Sequence, residues 1–204
     1  MAKQGMPRVP CLTAHSLRLQ SDIIMTHALL TALLLSAVIV DVRSRRIPNT
    51  LVLAGLALAF TAHLITLSTG SSPLAGRSWW SPLTGLLTGL ASLLPLYLLR
   101  ATGAGDVKLM GVVGAFIGAQ PVLAATLYTL LAGGLLSLVF MLGRGVAAQT
   151  LANVRFLLTD WALRASSGQG ARLAPLQTTA ARLPYAVAIA LGTGAALLWP
   201  LSTP

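Results

Sequence analysis

The chain has 204 residues, 55% of them hydrophobic and only 9% charged, with four acidic residues and a formal net charge of +10. A soluble domain carries about 25% charged residues, so this composition leaves too little polar surface to cover a water-soluble globule. The basic residues are spread between apolar stretches with few aromatic neighbours, which fits a membrane topology and not a nucleic-acid footprint. Cys11 is the single cysteine, so neither an internal disulfide nor a CxxC zinc site can form.

Residues 1–24 read as a polar, irregular extension containing Lys3, Arg8 and Arg18. Met25 stands directly before the first strongly apolar run and is the expected start of translation, with residues 25–204 forming one transmembrane domain. Apolar runs near the ~20 residues that a bilayer requires predict six spans. They cover about 23–40, 50–68, 82–99, 106–119, 122–142 and 184–200. Pro95 is expected to kink the third span, and Gln120-Pro121 to break the chain before the fifth. Gly85/Gly89 and Gly114/Gly118 are small-xxx-small pairs of the kind that let helices approach closely.

Orientation follows from the basic residues. Arg43, Arg45 and Arg46 lie in the first loop, Arg100 and Lys108 at the third, and Arg144, Arg155, Arg164, Arg172 and Arg182 in the fifth, ten of the fourteen in the chain. The second loop holds only Arg77 and the fourth none. The odd loops are therefore expected on the cytoplasmic side and the N-terminus outside, with Trp79 and Trp80 in an outer aromatic belt. Lys3, Arg8 and Arg18 conflict with this orientation, which is the reason for placing the start at Met25. Residues 146–164 set Leu151, Val154, Leu158 and Trp161 at helical spacing, with Asn153, Arg155, Asp160 and Arg164 mostly elsewhere on the wheel. A cytoplasmic amphipathic helix is expected there. The fold class is thus an all-α polytopic membrane protein in contact with the lipid bilayer.

Two of the four acids fall at span ends. Asp41 closes the first span and Asp106 opens the fourth, so the topology puts both at the cytoplasmic side and at similar depth. Ionisable groups near the hydrocarbon are expensive and point to function. If the two share a site, they also share a proton near neutral pH. The ionised member can then deprotonate a water while the protonated one polarises an amide carbonyl. On the other reading both are loop-end residues balanced by Arg43 and Lys108. Gly103 and Gly105 allow a sharp turn that presents Asp106 at a helix start. Pro48 disfavours helix at Ile47, and Asn49 or Thr50 can cap the second span. His15, His27 and His63 are scattered without ligand spacing, so no metal and no cofactor is expected.

The segments DVRSRRIPN at 41–49 and GAGDVKL at 103–109 resemble the two signature motifs of the prepilin peptidases, or type IV leader peptidases, which are GxGD-type intramembrane aspartic proteases. The resemblance covers most of 25–142, and LPYAVAIALG at 183–192 is similar to the family's last span. It implies an endopeptidase of the bacterial inner membrane. The substrate would be a prepilin or pseudopilin precursor, cut at the cytoplasmic face between its basic leader and its hydrophobic helix. Asp41 and Asp106 match the catalytic pair, and Ile47, Pro48, Asn49, Gly103, Gly105 and Lys108 match the surrounding motifs. Two residues from Asp106 on a helix, Lys108 diverges from it and is expected to meet substrate or lipid headgroups. Longer members carry a cytoplasmic insertion with two CxxC pairs and also methylate the new N-terminus. This chain lacks that insertion and resembles the short form that serves Flp/Tad-type pili or minor pseudopilins, so methyl transfer is not expected. The sequence specifies no oligomeric state. Two other classes compete: a small transporter using the aspartates as cation or proton ligands, and a non-catalytic pilus or secretion assembly factor. The absence of a visible repeat or midplane carboxylate disfavours the first, and the intact aspartates disfavour the second.

Overall fold

The structure is a computed structural model and describes residues 11–70, 73–99, 102–143 and 185–200, with isolated positions 152, 155 and 159. Its main elements are six α-helices: α1 (Cys11–Ser44), α2 (Asn49–Ser68), α3 (Ser81–Leu98), α4 (Ala104–Ile117), α5 (Ala119–Gly143) and α6 (Tyr185–Leu198). Four stretches are long and apolar enough to cross a membrane: Ile23–Ser44, Asn49–Ser68, Ser81–Leu98 and Ala119–Gly143. The other two helices, α4 and α6, have 14 residues each. That is about 21 Å at 1.5 Å per residue, short of a hydrocarbon core of about 30 Å.

The short α4 is the centre of the bundle. Val107 and every residue from Leu109 to Ile117 are buried. All five other helices expose large apolar side chains, such as Leu35, Leu53, Leu87, Leu131 and Leu191, whereas α4 exposes none. Its neighbours are α3, α2, α5, α6 and α1, with α3 the most extensive. A helix enclosed on all sides is apolar all round, and lipid thickness does not dictate its length.

Glycine makes the α3–α4 contact possible. A Cβ on Gly85 would collide with the carbonyl of Gly114, and one on Gly114 with the carbonyl of Gly85. One turn along, a Cβ on Gly89 would meet Met110 O and stand 3.0 Å from Gly111 Cα. The two backbones touch, as small-xxx-small patterns allow. Between α3 and α5, the Ser92 and Thr126 hydroxyls pair at 2.9 Å.

Several boundaries differ from the sequence expectation. The first helix starts at Cys11, so at least residues 11–24 are helical and not irregular. From Cys11 to Ser44 the chain has no proline or glycine to interrupt it, and polarity by itself does not stop a helix. The break between α4 and α5 falls at Gly118, not at Gln120-Pro121. Gly118 has φ +88°, a conformation that suits glycine. Pro121 sits in the first turn of α5, where its missing N–H costs nothing. The expected amphipathic helix at 146–164 lies outside the described residues except at Ala152, Arg155 and Thr159, which are helical and exposed.

Contacts sort the helix termini into two groups. The end of α1 and the starts of α2, α4 and α6 meet at one end of the bundle. At the other, His63 Nε2 near the end of α2 lies 3.1 Å from the carbonyl of Ser78, and Tyr128 donates to the carbonyl of Trp199 at 3.2 Å. The exposed Trp79, Trp80 and Trp199 lie by this second end, with the first two rings 4.5 Å apart. Sequence reading did not include Trp199 in that belt.

Candidate functional site

Asp41 lies in the last turn of α1 and is only 6% exposed. A carboxylate there opposes the helix macrodipole, and a buried one needs a hydrogen-bond donor. The donor comes from across the bundle: the amide of Ala186, in the first turn of α6, gives a 3.1 Å hydrogen bond to Asp41 Oδ2. The start of one helix thus offsets the cost of an acid at the end of another. The turn after α1 is closed by the amide of Arg45 on the carbonyl of Asp41 at 2.8 Å. Arg45 has φ +52°, a left-handed conformation that is rare for non-glycine residues.

Asp106 is the third residue of α4 and half-buried. Its Oδ2 accepts from the amide of Gly103 at 3.0 Å, while its own amide donates to the carbonyl of Gly103 at 3.1 Å. The carboxylate folds back over the helix start, and glycine suits position 103 because a Cβ there would lie 3.2 Å from Asp106 Oδ2. Each carboxylate is therefore held by a different backbone amide. Both stand at the same end of the bundle, Asp41 against the start of α6 and Asp106 at the start of α4.

The two motifs interlock. Gly105 faces Ile47, whose Cβ would be 3.1 Å from a Cβ at 105. Lys108 Nζ donates to Asn49 Oδ1 at 2.9 Å. Asn49 is therefore not the cap of α2; Pro48 precedes the helix with extended backbone and no side-chain cap. Lys108 is exposed and diverges from Asp106, but its visible partner is the other motif and not solvent. The loop after α1 and the start of α4 are pinned together by one apolar and one polar contact, within a few residues of both aspartates.

Two testable consequences follow from these pins. A donor–acceptor pair acts as a unit, so Lys108→Ala and Asn49→Ala should each slow turnover about 3- to 10-fold, in line with ~1 kcal/mol for a hydrogen bond. The double variant should be no slower than the worse single one; additive losses would show that the pair is not coupled. Gly105→Val should lower turnover by at least about 10-fold, since even a ~1.4 kcal/mol misfit is tenfold, with the amount of protein in the membrane unchanged. Normal turnover would mean that Ile47 does not pack on α4.

Sequence reading did not find Tyr185 and Ala186 as site residues. LPYAVAIALG marked a last helix, but a backbone amide has no residue-type signature. Tyr185 opens α6. Ala186, the second residue of α6, thus borders Asp41, and Tyr185 stands directly before it.

A helical membrane protein with two carboxylates gathered at one end of its bundle is the class that fold and site define. The sequence profile of the type IV leader peptidase family matches residues 28–138, more than half of the chain, and the protein belongs to that family. Membership makes it a peptidase that works in a membrane setting on prepilin-type substrates. No curated protein and no solved structure matches the chain.

Proposed function

We propose that the protein is an aspartic endopeptidase of the bacterial inner membrane that removes the basic leader from type IV prepilin-like precursors, of the Flp/Tad type or the minor pseudopilins. The observation that carries this reading is the convergence of Asp41 and Asp106 at one bundle end, each carboxylate held by a backbone amide. One carboxylate, ionised, takes a proton from a water whose oxygen attacks the scissile carbonyl carbon. The other, protonated, hydrogen-bonds to the carbonyl oxygen as it gains charge. Collapse of the tetrahedral intermediate breaks the C–N bond, and the amine leaves with a proton from the pair. Ile47, Pro48, Asn49, Gly103, Gly105 and Lys108 hold the two aspartate-bearing segments in register.

Arg43, Arg45 and Arg46 are exposed at the aspartate end, and such basic loops favour the cytoplasmic side. A precursor's leader would lie in water there while its hydrophobic helix stays in lipid, so the cut falls at the interface. The test is co-expression with precursors that have a short basic leader and one hydrophobic helix. Mass spectrometry should show loss of the leader, with the new N-terminus just before the apolar helix. Precursors that stay full-length beside abundant, inserted peptidase would refute the reading.

A further inference from the structure

The segment matched by the family ends at residue 138, yet the donor to Asp41 comes from α6, beyond it. Ala186 is fully buried, and its N–H is committed to Asp41 Oδ2. The residue before it, Tyr185, is only half-buried. Its ring lies against Gly133 of α5: a Cβ at Gly133 would stand 3.0 Å from Cε2 and 3.4 Å from both Cζ and the hydroxyl oxygen. Glycine at that position leaves the tyrosine its seat. The ring is therefore seated against α5, and the backbone next to it is tied to Asp41 through the Ala186 amide.

A peptide carbonyl attacked by water gains negative charge on its oxygen, and a donor placed at that oxygen before the reaction is among the most effective contributions to the rate. The donors that the structure shows on the two carboxylates are already engaged, as is the motif lysine. The Gly103 and Ala186 amides serve the two carboxylates, and Lys108 serves Asn49. The phenol of Tyr185 is neutral, rigidly mounted and half-open. We propose that Tyr185 is a further catalytic residue, its hydroxyl donating a hydrogen bond to the scissile carbonyl oxygen as it becomes an oxyanion, with Gly133 and Ala186 holding the ring in place. This rests on the peptidase reading above.

The test is steady-state cleavage of a precursor by the full-length enzyme in detergent, comparing wild type, Tyr185→Phe, Gly133→Ala and the two aspartate-to-asparagine variants. Tyr185→Phe keeps the ring and its packing and removes only the donor. It should lower kcat about 100-fold with KM within about twofold, since removing one such donor costs 10²–10³. Gly133→Ala keeps the hydroxyl but displaces the ring, and should also lower kcat. A Tyr185→Phe enzyme with wild-type kcat, beside inactive aspartate variants, would overturn the tyrosine's role and leave the aspartate reading standing. A loss confined to KM would overturn it too, assigning the tyrosine to substrate binding. Active aspartate variants would instead overturn the underlying mechanism. Should Tyr185→Phe fail to fold, Gly133→Ala decides: unchanged kcat refutes the proposal.

Discussion

Asp41→Asn and Asp106→Asn should each abolish leader removal, by about 10⁴-fold or more, while the protein still inserts and elutes as the wild type does. The size follows from the role. A residue that takes or gives the reacting proton is not replaced by its neighbours, and losing one member of a catalytic unit costs nearly as much as losing all. Asparagine keeps the shape and can still accept the amide hydrogen bonds, so the fold is spared. The two variants differ in detail. Asp41 is buried at the end of α1, against the helix dipole, and its bond to Ala186 joins α1 to α6. Removing its charge takes away an unfavourable feature, so Asp41→Asn should be at least as heat-stable as wild type. Asp106 lies at a helix start, where negative charge is favourable by about 0.3–1 kcal/mol. Burial of this carboxylate and the nearby charge of Asp41 act in the opposite direction, burial being the larger effect, so Asp106→Asn should lose no stability either. The check is precursor mass after co-expression, alongside melting of the purified variants. Retained cleavage in either variant would remove that aspartate from the mechanism. A stabilised but inactive Asp41→Asn would show an acid kept for activity at a cost to stability.

Much of this arrangement was legible in the residues, and what was missed has a common cause. Composition and apolar run length specify a membrane bundle, because every span must present apolar side chains to lipid. The aspartates stand out because acid is so scarce and because each sits in a motif with glycine or proline beside it. What a linear reading handles poorly is who meets whom. Asn49 looks like a cap from its place at a helix start, but its side chain is taken by Lys108, 59 positions away. Ile47 gives no sign that it will press on Gly105. The amide of Ala186 is invisible to any residue-based search. Helix limits were misplaced where polarity was read as irregularity, at residues 11–24, and where a positive φ at Gly118 ended α4 before its apolar run did.

The most extensive helix contact, between α3 and α4, has its closest point at Gly114, eight residues along α4 from Asp106 and so about 12 Å away. Gly85→Leu should abolish correctly folded protein, seen as loss of the monodisperse peak in detergent and of heat stability, and with it all cleavage. At Gly85 a side chain has nowhere to go. Its first carbon would overlap the carbonyl of Gly114, which belongs to a backbone and not to a movable side chain, and would also stand 3.0 Å from Gly118 Cα. Relief requires α3 and α4 to separate along the most extensive contact in the bundle. Overpacking usually costs about 1–3 kcal/mol, but that figure describes sites where side chains can yield; here the cost should exceed it. Gly114→Leu meets the reciprocal obstacle at Gly85 O and should behave alike. Gly134→Leu is the matched control, since nothing lies within 4 Å of a Cβ there, and should fold and cleave normally. Asp106 is carried on α4, so its position relative to Asp41 depends on how closely α4 seats in the bundle as well as on the pins at its start. If Gly85→Leu folds yet has lost activity, the helices have found another spacing and the carboxylates have moved apart. If it folds and cleaves at the wild-type rate, the backbone contact between α3 and α4 does not position the site.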